Sequence, residues 1–75
     1  MIKVYTTDSC PWCVKAKNYL KSKNISFEEL NVADDMLARE EMIKKSKQMG
    51  VPVLDVNGTI IIGFDKGAID AALTK

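Results

Sequence analysis

The spacing of apolar residues changes several times along the 75 positions, and each change marks an element. Ile2, Val4 and Tyr5 suit a short strand, which Thr7, Asp8 and Ser9 break just before Pro11. From Pro11 to about Lys23 good helix formers dominate, and Cys13, Ala16 and Leu20 recur at i, i+3 and i+7 as the apolar stripe of an amphipathic helix. Asn24 is its stop. Ile25 to Val32 reads as a second strand with Ile25 and Phe27 on one face. Asp34 to Met49 reads as a second helix, because Asp34 and Asp35 sit at its positive end and Lys44, Lys45 and Lys47 at its negative end. Glu40–Lys44 and Glu41–Lys45 add i, i+4 pairs, Met36, Met42 and Met49 read as core contacts, and Gly50 ends the helix. Val53–Val56 and Thr59–Ile62 flank Asn57-Gly58, a pair that tolerates positive φ in a type I′ hairpin. Gly63 closes the strand, Asp65 caps, and Lys66 to Lys75 forms a last helix on Ala68, Ile69, Ala72 and Leu73.

The resulting order is βαβαββα. A right-handed parallel βαβ unit followed by a hairpin and a helix closes one four-stranded mixed sheet with helices on its faces, so an α/β three-layer sandwich is predicted.

Composition narrows what such a fold holds. At this length residues 1–75 make a single domain, with a radius of gyration of about 11 Å and only shallow surface grooves or exposed reactive atoms for a site. No large cofactor is expected inside it. Charged residues make up 28% without low-complexity tracts, which fits a folded chain. The longest apolar stretch, Ile60 to Ile62 between Thr59 and Gly63, falls far short of the roughly 20 residues a bilayer requires. The N-terminus has no apolar run of signal-peptide length, so the reducing cytoplasm is expected, without structural disulfides. A net charge of +1 argues against nucleic acid and membrane partners. Its distribution is uneven: residues 1–25 set five lysines against Asp8 alone, and that end carries both cysteines.

Those cysteines stand at Cys10-Pro11-Trp12-Cys13, a spacing that roughly 3% of random placements would give, and they lie between a strand and a helix. With Cys10 at the N-cap, Pro11 falls at N1, where its missing N–H removes nothing. The N–H groups of Trp12 and Cys13 then point at the Cys10 sulfur and, with the helix dipole, favour its thiolate; Asp8 opposes them. Cys10 is therefore the expected nucleophile. Cys13, on the apolar face one turn further in, is the expected resolving thiol, and the i, i+3 spacing suits a disulfide. Buried packing cysteines are the plain alternative. Zinc is disfavoured, because two thiols and no histidine leave a tetrahedral site incomplete. Small metallochaperones also carry two cysteines before a helix, but in the order βαββαβ. No metal site is predicted.

Along nearly its whole length the chain resembles the glutaredoxin branch of the thioredoxin fold. Tyr5-Thr6-Thr7-Asp8-Ser9-Cys10-Pro11-Trp12-Cys13 is similar to that family's active-site entry, with Trp12 in place of a common tyrosine. Arg39 to Lys44 is similar to its second helix, and Val51-Pro52 before a strand to its cis-proline loop. The resemblance implies that Pro52 is cis, where a trans proline opening a strand is the alternative, and that the Val51 backbone faces Cys10 and pairs with an extended substrate. Trp12 is expected to be partly exposed as a contact residue, with Pro11, Trp12 and Pro52 supporting the active site. Val51, Gly63, Phe64 and Asp65 are the expected substrate contacts.

The chain departs from glutathione-binding members of the family, which often carry a basic residue where it has Thr7 and a threonine where it has Gly50. Glycine-glycine followed by an acidic residue is replaced by Gly63-Phe64-Asp65. These changes look more like redoxins served by thioredoxin reductase, including those that reduce ribonucleotide reductase, although Val51, Lys15 or Lys66 offers glutathione other contacts. The resemblance implies a monomeric thiol–disulfide oxidoreductase without a bound cofactor. Its implied partners are disulfide-containing proteins, ribonucleotide reductase among them, with glutathione as co-substrate or thioredoxin reductase as donor. The alternative is an iron–sulfur or metal carrier using Cys10 from two chains.

Overall fold

Seven elements follow the order read from the sequence: β1 (Ile2–Thr6), α1 (Pro11–Ser22), β2 (Glu28–Asn31), α2 (Met36–Ser46), β3 (Val53–Val56), β4 (Thr59–Ile62) and α3 (Lys66–Leu73). The computed structural model describes residues 2–8, 10–48 and 50–74, so the helix ends read at Met49 and Lys75 lie outside the described residues. The sheet runs β2-β1-β3-β4. β1 pairs in parallel with β2, Lys3 opposite Glu28, and antiparallel with β3, Val4 opposite Leu54. β3 and β4 form the hairpin, whose turn residues Asn57 and Gly58 have φ of 52° and 98°, as a type I′ turn requires.

The two-residue period of the strands divides the core. Ile2, Val4, Leu54, Val56 and Ile61 pack with Ala16 and Leu20 of α1 and Ile69 and Ala72 of α3. On the opposite face Tyr5 and Val53 pack with Val32 and with Ala38 and Met42 of α2. Three layers result. Each large aliphatic side chain so buried contributes about 1.5–3 kcal/mol, and the α1 stripe consists of the residues whose spacing predicted it: Cys13, Ala16 and Leu20.

Several boundaries differ from the reading by pattern, among them the ends of β2 at Asn31 rather than Val32 and of α3 at Leu73, with Thr74 as its C-cap. β2 begins at Glu28 rather than Ile25, because Asn24 takes φ 58° and the Ile25 N–H closes back on the Leu20 carbonyl at 3.1 Å. Ile25 and Phe27 still pack against the first core cluster, but as a connection and not as strand. α2 begins at Met36, since the Asp35 carboxylate accepts the N–H groups of Leu37 and Ala38 and so holds the N-cap. It ends before Gly50, where Lys47 turns left-handed at φ 60°. Met42 is core as expected, whereas Met36 is 73% exposed: it occupies the first helical position, off the stripe of Ala38 and Met42. Met49 lies outside the described residues.

Candidate active site

The turn from β1 into α1 sets the chemistry. Cys10 is the N-cap of α1 with extended φ and ψ of −107° and 105°, Pro11 follows in the first turn, and the Val14 N–H donates to the Cys10 carbonyl at 3.3 Å. Of the two amides expected at its sulfur, that of Cys13 makes the hydrogen bond, N–H to Cys10 Sγ at 3.2 Å. A sulfur thus occupies the place of a cap oxygen, and both cysteines are free thiols.

Cys10 is half-buried and Cys13 is 0% exposed. Burial, followed by the adjoining Cys10 sulfur, pushes the Cys13 thiol up to about 11. The pair is asymmetric. The Asp8 carboxylate, expected to oppose ionisation of Cys10, accepts a hydrogen bond from Asn31 Nδ2 at 2.7 Å, which ties it to the end of β2.

The loop before β3 completes the site. The Val51–Pro52 bond is cis, as the resemblance implies, and Pro52 is fully buried. The Cys10 thiol lies 3.9 Å from the Val51 carbonyl oxygen, a sulfur hydrogen-bond distance. An open groove of about 300 Å³ is lined by Trp12, Val51, Pro52, Gly63 and Phe64. Trp12 is 56% exposed on its rim, as anticipated. Gly63 has φ +80°, left-handed backbone suited to glycine, and its N–H is occupied by the Pro52 carbonyl at 2.8 Å. Of the four expected substrate contacts, Asp65 is absent from that lining: its carboxylate caps α3 by accepting the Ala68 N–H at 3.1 Å.

Val51 also borders a second cavity of about 210 Å³, lined with Thr7, Val32, Ala33, Arg39 and Met42. Arg39 borders this cavity, a placement that pattern reading passed over. Helical phase assigns it to the exposed side of α2, where it is found, and it shares a cavity with Thr7 and Val51 because β1 lies between β2 and β3.

A cap sulfur at a helix N-terminus, a buried second thiol three residues on and a cis-proline loop beside them define a dithiol protein of the thioredoxin fold. The chain belongs to the glutaredoxin family, whose model matches residues 2–61. It is 60% identical over 75 residues, all of both chains, to a Clostridium pasteurianum protein described as an uncharacterized glutaredoxin-like 8.6 kDa protein in the rubredoxin operon. It is 41% identical to glutaredoxin 3 of Escherichia coli K12 over 64 residues, covering 85% of this chain and 77% of that one. The solved structure of the thioredoxin-like protein BC3987 superposes with a TM-score of 0.90 at 30% identity, covering 96% of this chain and 99% of that one. The protein is a glutaredoxin-like thiol redox protein.

Proposed function

We propose that this protein reduces protein disulfides through Cys10 and Cys13, and the observation that carries the reading is the half-buried Cys10 at the α1 N-cap, its sulfur accepting the Cys13 amide. In the first step the Cys10 thiolate attacks one sulfur of a substrate disulfide; that S–S bond breaks, a mixed disulfide forms, and the other substrate sulfur leaves and takes up a proton. Cys13 then loses its proton and attacks Cys10 Sγ, releasing the second substrate thiol and leaving a Cys10–Cys13 disulfide. The substrate is thereby reduced by two electrons and the protein oxidised by two.

The order of steps follows from the asymmetry of the two thiols. Cys13 is held protonated by burial and by the sulfur beside it. Once Cys10 is engaged in a mixed disulfide it no longer carries negative charge, so that part of the restraint on Cys13 is lifted. An extended substrate pairs with the Val51 backbone in β fashion, its cysteine against Cys10, while Trp12, Gly63 and Phe64 border the groove it crosses. Arg39 offers a cation on the other side of Val51 for a substrate carboxylate. No cofactor is required.

Regeneration takes two electrons from two glutathione molecules or from a thioredoxin reductase, and a reducing cytoplasm is the setting that keeps such a dithiol charged. The position of the Clostridium pasteurianum relative in a rubredoxin operon fits a redox partner. Ribonucleotide reductase is one disulfide substrate of the right class.

Cys13→Ser removes the resolving thiol, so it is expected to accumulate mixed disulfides with target proteins that reductant releases; a variant that traps none would overturn the two-thiol mechanism. Turnover with reduced glutathione against turnover with NADPH and thioredoxin reductase assigns the donor.

A further inference from the structure

Beside the active-site groove, and sharing Trp12 and Phe64 with it, runs a second open groove of about 440 Å³ between α1 and α3, lined by Trp12, Lys15, Asn18, Tyr19, Phe64 and Lys66. Among the described residues its lining holds two cations and no carboxylate. The Lys15 ammonium sits 4.3 Å above the Trp12 ring, and that of Lys66 lies 5.6 Å from the Tyr19 ring and 5.9 Å from Phe64. Two flanking acids hold other partners, although Asp70 also feels the Lys66 charge. Asp70 accepts the Tyr19 hydroxyl and pairs with Lys23 at 3.0 Å, and Asp65 caps α3. Lys66 also opens α3, at the end where the helix dipole favours an anion. Helix stability gives no reason for a lysine there.

From this unbalanced charge we infer that the α1–α3 groove seats an acidic stretch flanking the substrate's disulfide cysteine. Lys15 and Lys66 pair with its carboxylates, and the aromatic rings between them cover its apolar atoms. The inference rests on the oxidoreductase reading and names its substrate class. A polypeptide whose cysteine meets Cys10 and which crosses Trp12 and Phe64 brings residues a few positions from that cysteine onto the two lysines, so the preference is written into substrate sequence.

The test is a single-turnover reaction, which needs no electron donor. Reduced protein is mixed with either of two synthetic disulfide peptides that differ only in a flank of three aspartates or three asparagines. At low salt, about 20 mM, the aspartate peptide is expected to oxidise the protein about fivefold faster. That ratio should collapse toward one in about 0.5 M salt, where screening is short-ranged. It should also collapse in the double variant Lys15→Gln, Lys66→Gln, both of whose changes lie on the surface. Equal rates for the two peptides at low salt, or a ratio the double variant leaves unchanged, would overturn the inference while leaving the redox chemistry standing. Failure of both peptides to oxidise the protein is a different result and would strike the parent reading.

Discussion

Cys10 and Cys13 are three positions apart in the chain, yet one stands at the protein surface and the other is sealed in the α1 stripe. With its thiol pushed up by burial and by the adjoining Cys10 sulfur, Cys13 stays protonated at pH 8. Iodoacetamide at that pH is therefore expected to place a single adduct on Cys10, read by mass spectrometry of the digested protein. Equal labelling of the two cysteines would contradict the asymmetry on which the order of attack depends. The spacing Cys-x-x-Cys announces this pair in one dimension. Which member faces water was legible only because Cys13 shares a helical phase with Ala16 and Leu20. Arg39 had no such companion signal.

At the scale of elements, caps add to what the packed helix faces contribute. Asp35 satisfies two amides of α2, and Asp65 one of α3. Asp35→Ala is expected to lower stability by about 1 kcal/mol, or 4–8 °C in Tm for a domain of this size, in thermal unfolding followed by circular dichroism. Activity should be retained, because α2 presents no reacting atom. An unchanged Tm would mean that the cap contributes nothing beyond what solvent supplies. The capping aspartates also explain where pattern reading misplaced an end: carboxylates favour both the cap and the first turn, so Asp34 and Asp35 admitted two starts. A side-chain oxygen already bonded to Leu37 and Ala38 selects one.

Across the whole molecule, a polar cluster ties α2 to the sheet. The buried Tyr5 hydroxyl donates to Glu41 Oε1, which also accepts Lys45 Nζ at 2.9 Å and Lys3 Nζ at 3.1 Å; Lys45 reaches on to Asp55 of β3. The Tyr5 hydroxyl, then Lys45 and Lys3, hold the Glu41 carboxyl down to about 2. Because the folded value is depressed below the ordinary 4.5, the stabilisation is fully present above pH 4.5 and is lost as pH falls toward 2. Glu41→Gln is expected to lower Tm at pH 7, by about 1 kcal/mol in stability after allowance for solvent screening. It should also flatten the decline in Tm between pH 5 and pH 2.5. A variant whose Tm falls with acid as steeply as the parent's would assign that decline to other carboxylates.

The Glu41–Lys45 spacing was readable as a helix-surface pair, and the pair forms, while among the described residues Glu40 and Lys44 make no such bridge. What the chain alone determined was everything carried by neighbours in sequence: the element order, the Asn57-Gly58 hairpin, the apolar stripe of α1 and the cysteine at its cap. Local hydrogen bonding and side-chain periodicity encode those features within short stretches of chain. Only the tertiary structure decided that Cys10 meets the Val51 carbonyl across 41 positions, that Tyr5, Lys45 and Asp55 share one cluster, and that Trp12 and Phe64 border a basic groove. Each of these joins elements whose adjacency is set by strand order and layer packing, and that order follows from how the apolar faces are jointly buried rather than from any one segment.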